Sequence, residues 1–274
     1  VVDTTSGQSC WSTLIVEDKL MPSVNCMSDT LPCTEDPFSY DYNEFITITD
    51  NCDPNPTAYF DLRFEKLNCG ARYVAIAHLT WTVTDRYNNR VNCSNDIYFK
   101  KAPLDSIVFP QDDTLYCPSP DFSSLEGPTI FGESIDPFCD LFASFTEDSS
   151  IVCGGMYKKT RRWTVRDWCT GASRSQSQLI TIADTTAPSV VCPANFTLGT
   201  SASSCGINYT IPQGVATDAC SPSASIQFFV RVDSTYLTRP GQSIFLEPGL
   251  HSFNFIAIDP CGNSDTCTYS GLIV

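Results

Sequence analysis

Histidine is almost absent: the chain has two in 274 residues. No two of its 15 cysteines are spaced C-x2-C. Structural zinc sites draw on one or both of these features, so the cysteines are not set out as a zinc array. Basic residues are scarce too, 16 against 31 acidic, for a net charge of −15. Such a surface lacks the basic face that a phosphate backbone needs, which argues against nucleic acid and anionic membrane surfaces as partners. No apolar run approaches the roughly 18 residues that span a bilayer as a helix, so membrane insertion is not expected. The start carries no initiator methionine, basic n-region or apolar h-region, and Val1 is not expected to be a natural translation start.

The cysteines are scattered through the chain, the distribution of a disulfide framework in an oxidising, extracellular compartment. Their odd number leaves at least one thiol free, paired with another chain, or separated from its partner.

Helical periodicity is nearly missing as well. In its place are short alternating runs rich in Thr, Val, Ile and aromatics: HLTWTVTD (78–85), TRRWTVRD (160–167) and FNFIAID (253–259). Clusters of Pro, Gly, Asn, Asp and Ser separate them. This is the strand-and-turn texture of a β-sandwich. Each run ends in aspartate, as VVD at 1–3 does, so Asp3, Asp85, Asp167 and Asp259 recur at intervals of 82, 82 and 92 residues. VEDKLMPSV (16–24), FKKAPLDSIV (99–108) and TIADTTAPSV (181–190) keep the same rhythm as strand end, polar linker with proline, and new strand. The expected architecture is all-β: tandem Ig-like sandwiches stapled by disulfides. Residues 1–21 read as the final strand of a preceding domain plus a linker, followed by domains at 22–102, 103–186 and 187–274. On this reading the chain is a window from a longer protein. The strand within 1–18, unable to close a sheet alone, pairs with upstream chain or a neighbouring subunit.

Aligning the repeats places the cysteines on an Ig-like strand order. Cys26 and Cys192 fall on first strands, with Phe109 in the middle repeat; Cys10, Cys93 and Cys267 fall on last strands, with Ser175 in the middle repeat. First- and last-strand cysteines are present or absent together, which predicts Cys26–Cys93 and Cys192–Cys267. Cys33–Cys69 and Cys117–Cys153 are expected to clamp the two sheets, and Cys139–Cys169 and Cys220–Cys261 to join loops at one end. Cys10, Cys52 and Cys205 are left over. Cys52 faces the preceding domain and Cys205 the following one; bridges across domain junctions and free buried thiols both remain open for them. Each bridge is expected to add roughly 3–4.5 kcal/mol.

The corner DPCGNSDTC (259–267) could hold a thiol nucleophile, but no histidine is near to activate one. His78 and His251 lie on or beside sixth-strand segments without evident triad partners. Catalysis is therefore not expected, and the corner reads as a tight turn with left-handed backbone at Gly262 and Asn263. Calcium is a further candidate: Asp50, Asp53 and Asp85 share one end of the first full repeat, matched by Asp136, Asp140 and Asp167 in the second and by Asp218 and Asp259 in the third. No EF-hand or glycine-rich nonapeptide accompanies them. Lys158, Lys159, Arg161, Arg162 and Arg166 form a basic cluster in an acidic chain; they either dock an acidic face of another subunit or deter edge pairing. Asn195 and Asn208 lie in N-x-T sequons and Asn92 in N-C-S, patterns short enough to be read as chance. The DTL and DTT triplets are weak candidates for O-glycan attachment. Trp81 and Trp163, with Phe255 in the third repeat, are expected between the sheets. Phe138, Phe142 and Phe145 in DPFCDLFASF (136–145) are the aromatics that could serve as a binding surface.

CGGMYKKTRRWTVRDWCTG (153–171), VEDKLMPSVNCMSDTLPC (16–33), DTTAPSVVCPANFTL (184–198), ATDAC (216–220) and AIDPCGNSDTC (257–267) resemble hyalin-repeat-type Ig-like domains. The likeness is to giant cysteine-rich surface proteins of marine filamentous Bacteroidota, the Saprospira-like group. It covers essentially the whole chain. It implies export by the type IX route and a role in adhesins, fibres or hook-bearing filament appendages. Tyr87 stands where that pattern often has cysteine, which by the resemblance leaves Cys52 without its usual mate, and the linker prolines are single rather than doubled. The function expected is thus a structural segment of a long extracellular fibre or adhesin stalk, reaching about 35–45 Å per domain if its strands run along the fibre. Its partners are neighbouring domains of the same chain and other copies in a homo-oligomeric fibre. The alternative is a module that binds glycans or a surface receptor.

Overall fold

The structure is a computed structural model and describes residues 4–7, 12–13, 15–201 and 204–274. By its tertiary contacts the chain forms two compact units. The first comprises residues 1–108, 129–142 and 165–174; the second comprises 109–128, 143–164 and 175–274. The three sandwiches expected from the repeats are thus not three contact units, because the middle repeat is divided. Apart from short 3-10 turns, the regular structure of the described residues is all β, with Ig-like sheet pairs.

Hydrogen-bonded sheets nevertheless stay within single repeats. The first repeat carries β1 (Ser23–Cys26), β2 (Asp29–Pro32), β3 (Ile46–Thr49), β4 (Thr57–Lys66), β5 (Tyr73–Thr84) and β6 (Arg90–Lys100). β1 pairs antiparallel with β3, while the other sheet runs β2-β6-β5-β4 with β2 parallel to β6. Alternation along β5 drives Ala75, Ala77, Leu79, Trp81 and Val83 to one face, the period-2 pattern that buries one side of a sheet. Ile97 and Phe99 of β6 join them in the core.

The middle repeat carries β7 (Asp113–Tyr116), β8 (Thr129–Ile130), β9 (Glu133–Ser134), β10 (Leu141–Cys153), β11 (Met156–Asp167) and β12 (Ser173–Ala183). Its main sheet runs β10-β11-β12-β7, with β7 parallel to β12. The basic strand β11 is therefore internal to the sheet, and its charges do not guard an edge.

The third repeat carries β13 (Ser189–Val191), β14 (Phe196–Leu198), β15 (Ile207–Thr210), β16 (Val215–Thr217), β17 (Gln227–Val232), β18 (Tyr236–Thr238), β19 (Ser243–Leu246), β20 (Gly249–Ile258) and β21 (Ser264–Ile273). The large sheet runs β14-β21-β20-β17-β18, with β14 parallel to β21. Phe196 sits opposite Gly271, where a Cβ would lie 2.2 Å from the Phe196 ring. Only glycine lets that ring pack inward. Val230, Val232, Phe253, Phe255, Tyr269 and Ile273 complete the core.

At the N-terminal end, residues 4–6 form a turn, and no strand appears among the described residues before Ser23. Cys10 and Asp3 lie outside the described residues, as does part of the strand expected there.

Candidate functional site

The recurring aspartates are turn-closing carboxylates. Asp85 accepts the N–H groups of Tyr87 (2.8 Å) and Asn89 (2.8 Å) and the Asn89 side-chain amide (2.7 Å). Asp259 accepts Asn263 N–H (2.8 Å) and its amide (2.8 Å) in the same way. Asp167 accepts Cys169 N–H (2.7 Å) and the Thr170 hydroxyl (2.8 Å). Burial works to raise Asp85, but the hydrogen bonds from Asn89 and Tyr87 outweigh it and hold the carboxyl below its ordinary range. The left-handed residue in the third corner is Gly262 (φ 92°); Asn263 is not left-handed and instead uses its side chain to close the turn. No nucleophile is assembled there.

Two of these corners gather further carboxylates. Asp18, Asp50 and Asp85 bring one oxygen each to within 4.8 Å of one another, and Asp184, Asp218 and Asp259 do the same. The two groups occupy equivalent places, because Asn89 donates to the Asp18 carbonyl (3.2 Å) as Asn263 does to that of Asp184 (3.2 Å). Of the expected calcium ligands, Asp50 and Asp85 are in place. Asp53 is not: its carboxylate binds Arg86 (3.0 Å) and the Arg86 N–H (2.8 Å), and Asp18 completes the group. Asp18, Asp50 and Asp218 each turn one buried oxygen toward no hydrogen-bond donor. Crowded carboxylates with unsatisfied oxygens suit a hard divalent cation.

The middle corner is built differently. Lys101 follows β6 directly, as Asp184 follows β12, so an ammonium takes the carboxylate's place. Lys101 Nζ donates to the Cys69 carbonyl (2.6 Å) and lines a small pocket of about 90 Å³ with Asp140, Asp167 and Thr170. Asp140 is ion-paired to Lys66 (2.9 Å), and Asp136 caps the Phe138 N–H (2.6 Å). The expected set Asp136, Asp140 and Asp167 is thus not a metal cluster; lysine supplies the positive charge.

Disulfides lie beside these corners. Cys26–Cys93 and Cys192–Cys267 are formed. The other four bridges differ from the expected pairs: they are Cys33–Cys139, Cys69–Cys169, Cys117–Cys220 and Cys153–Cys261. Their separations of 106, 100, 103 and 108 residues exceed one repeat, so each leaves one repeat and enters the next. Cys33–Cys69, Cys117–Cys153, Cys139–Cys169 and Cys220–Cys261 are accordingly not bonded. The physical reason is close abutment. In the second unit a Cβ at Gly155 would lie 2.7 Å from the Cys220 carbonyl, and one at Gly154 would lie 2.8 Å from Pro260. In the first unit, Phe138 packs on Phe64 and Phe99 (5.8 and 5.5 Å) beneath Lys66. Phe138 is therefore a docking plug rather than a free binding aromatic. Cys52 and Cys205 are free and exposed.

Two members of the basic cluster are used internally: Lys159 and Arg161 both bind Glu147 (2.5 and 3.0 Å), and Arg161 lies 4.2 Å over Phe145. Arg162 and Arg166 are exposed. Phe142 stacks near Trp168 (6.2 Å) and Phe145 beside Trp163 (4.8 Å), each remaining about half exposed.

A cleft of about 510 Å³ in the third repeat is lined by Val232, Asp233, Tyr236, Phe245, Glu247 and His251; nothing in the sequence patterning pointed to it. His251 Nδ1 faces Asp233 (2.7 Å) and Nε2 faces the Glu247 carbonyl (2.8 Å). With an acceptor at each nitrogen, the imidazolium form is favoured. The Asp233 hydrogen bond first, then the Glu247 carbonyl, raise the His251 pKa above its ordinary value. The stability this group contributes is fully present below about pH 6.5 and is lost as pH rises through the raised folded value. NMR titration is expected to give a His251 midpoint above 6.5, and His251→Gln to remove that part of the pH dependence of melting. His78 makes one such contact, from Nδ1 to Asp96 (2.7 Å).

No family model matches the chain, and no curated protein does. Solved structures align over most of it. Drosophila N-cadherin EC1-4 aligns at 14% identity and TM-score 0.29, over 94% of this chain and 76% of that one. Protocadherin gamma B2 extracellular cadherin domains 3–6 give 11% and 0.30, over 95% and 79%. Human mucin-like protocadherin EC1-2 gives 11% and 0.30, over 61% and 98%. Likeness at this level carries no conclusion about function.

Proposed function

We propose that this chain is a structural stretch of a long extracellular fibre, adhesin stalk or surface appendage. Its repeats at 22–102, 103–186 and 187–274 act as domains that give reach and mechanical strength for attachment or cell–cell contact. One observation supports this above all: four of the six bridges join successive repeats. A bridge inside a domain resists only that domain's unfolding. Two bridges from one domain to the next also resist their separation, and they share load with the linker peptide. Disulfides persist in oxidising compartments, which supports an extracellular site. The hyalin-repeat motifs support the finer part of the proposal, a type IX-exported appendage of Bacteroidota in which Arg162 and Arg166 face other copies. Pulling single molecules by their ends tests the reading. Oxidised protein should yield little length before rupture, and reductant should release much more. Equal extension in both states, or compact native particles by electron microscopy, would overturn it.

Calcium at the two acidic groups belongs to the same proposal. Asp18, Asp50 and Asp85 would hold one ion, and Asp184, Asp218 and Asp259 another, each stiffening a junction that Lys101 stiffens elsewhere without metal. Calcium at 100 times its dissociation constant should stabilise the second unit by about 2.7 kcal/mol. Asp259→Asn should abolish the second unit's shift between calcium and chelator in thermal melts and leave that of the first unit.

The cleft favours a second reading, a glycan-binding module. Tyr236 and Phe245 are more than half exposed and flank Asp233 and Glu247, a combination of stacking faces and acceptors that suits sugars. Glycan-array binding lost in Tyr236→Ala would support it.

A further inference from the structure

Phe38 is an apolar side chain that the fold holds in the open. It is 72% exposed, yet the turn that carries it is closely fixed. The Asp36 carboxylate accepts the Phe38 N–H (2.9 Å) and the Ser39 hydroxyl (2.9 Å), and the Asp36 carbonyl accepts the Tyr40 N–H (3.1 Å). The buried Tyr42 hydroxyl donates to the Pro37 carbonyl (2.7 Å). Cys33–Cys139 ties the start of this segment to the next repeat.

Phe38 lines a cavity of about 240 Å³ in the first unit. Phe64 stands 5.1 Å from Phe38, tilted by 55°, and Phe138 stands 5.8 Å from Phe64, tilted by 40°. Phe138 plugs the junction on its packed side, but it is only part-buried and also forms a wall of this cavity. Three phenyl rings thus meet in one pocket. Glu35, Asp36 and Asp136 are the charged residues of its lining, and no basic residue joins them among the described residues. Lys66, whose Nζ lies 4.8 Å over the Phe138 ring, is neutralised by Asp140 (2.9 Å). The hydrogen bonds from the Phe38 N–H and from Ser39 hold the Asp36 carboxyl below its ordinary range, so it is ionised at neutral pH.

Aromatic faces beside uncompensated carboxylates complement a cation. Hydrogen bonding decides which kind. A primary ammonium or a guanidinium brings N–H donors that need acceptors, and Lys66 finds them in the Phe138 carbonyl (2.7 Å) and Asp140. In the cavity, both Asp36 oxygens and one of Asp136 already accept from the chain itself. A quaternary ammonium has no N–H to satisfy. It presents methyl groups to the rings and takes only charge from the carboxylates. The same carboxylates repel any anionic group that the ligand carries.

We propose that the cavity formed by Phe38, Phe64 and Phe138 binds a small free quaternary ammonium with no acidic group of its own, a ligand of the choline type. The site is complete within the first unit, so it holds or fails apart from the fibre reading.

Choline titrated into the oxidised protein tests it, with the proton resonance of its N-methyl groups as the readout. That resonance should move upfield and saturate, because the methyls sit over ring faces. Phe38→Leu keeps an apolar side chain and removes a ring face; it should weaken choline binding about tenfold, whereas Phe38→Trp should match or exceed the parent. Phe38 is exposed, so neither change should alter the melting curve. Glu35→Gln should weaken binding severalfold and flatten its dependence on salt. Dimethylbutanol, the uncharged carbon isostere of choline, and phosphocholine should both bind far more weakly. Either one binding as tightly as choline would overturn the proposal, since charge would then not select the ligand. Binding that survives Phe38→Leu but is lost in Tyr236→Ala would place it in the third-repeat cleft instead, and no saturable shift at millimolar choline would leave no site at all; each result overturns the proposal.

Discussion

Replacing Cys33 with serine should free one thiol, that of Cys139, and destabilise the first unit by about 4 kcal/mol. The bond ties residues 106 apart, and with Cys69–Cys169 intact it still closes a long loop in the unfolded chain. Loop-closure entropy grows only with the logarithm of loop length, so the neighbouring bridge reduces its effect modestly. Alkylation with iodoacetamide before proteolysis identifies the released cysteine. Label on Cys69 instead would mean that the bond lies inside the repeat, and the cross-repeat architecture would fall with it. Thermal melting of the same variant under non-reducing conditions reads the stability change, and Cys139→Ser should match it. If both variants melt like the parent, the bond carries no load in the folded unit. The corresponding pair in the second unit, Cys117→Ser and Cys220→Ser, should behave alike.

That bond also marks where sequence reasoning stops. Strand positions followed from alternation: HLTWTVTD became the end of β5 and FNFIAID the end of β20, because a period of two can bury only one face. The aspartate corners were visible from spacing alone. Cys26–Cys93 could be paired because first- and last-strand cysteines vary together across the repeats. The remaining pairs could not be read in that way. Cys33 and Cys69 sit at one end of a repeat, Cys139 and Cys169 at the facing end of the next, so bonds within an end and bonds across the gap satisfy the same alignment. What decides between them is how closely the ends abut, and that depends on Gly154, Gly155 and the Phe138 plug. Each is an ordinary residue until its neighbour is known. The glycine pair was the available signal, since two adjacent glycines beside a cysteine fit a surface that must approach backbone closely. The acidic groups were missed in part for the same reason. Asp18 lies in a linker, 32 residues before Asp50, and nothing in its own surroundings sets it apart from Asp53, which Arg86 neutralises.

Trp81→Ala should be the most damaging single core substitution, at about 3–5 kcal/mol. Trp81 is fully buried, packs 4.7 Å from Phe60, and donates its indole N–H to Asn95 Oδ1 (3.0 Å). The Asn95 amide in turn donates to the Met27 carbonyl (2.5 Å), linking β6 to the chain just past β1. Alanine opens a cavity at the centre of the sandwich and strands the Asn95 oxygen. Trp81→Phe separates the two effects: it keeps most of the apolar contact and should cost about 1–3 kcal/mol, the penalty of a buried acceptor left unpaired. The other repeats give the internal comparison. Trp163 repeats the relay through Gln178 (3.1 Å) to the Gln111 carbonyl (2.8 Å), but it is 8% exposed and partly roofed by Phe145. Its truncation admits water more easily and should cost less than that of Trp81. The third repeat dispenses with the relay: Phe255 stands at this position and packs against Tyr269 (6.0 Å), so no indole partner is needed. Denaturant unfolding of the three alanine variants should therefore show Trp81→Ala losing more than Trp163→Ala. Phe255→Ala should show only the cavity cost, without the unpaired-acceptor penalty. A Trp81→Phe variant as stable as the parent would show that Asn95 finds another donor and that the relay is dispensable. A loss as large as that of alanine would show that the hydrogen bond, and not the packing, fixes the middle of this sandwich.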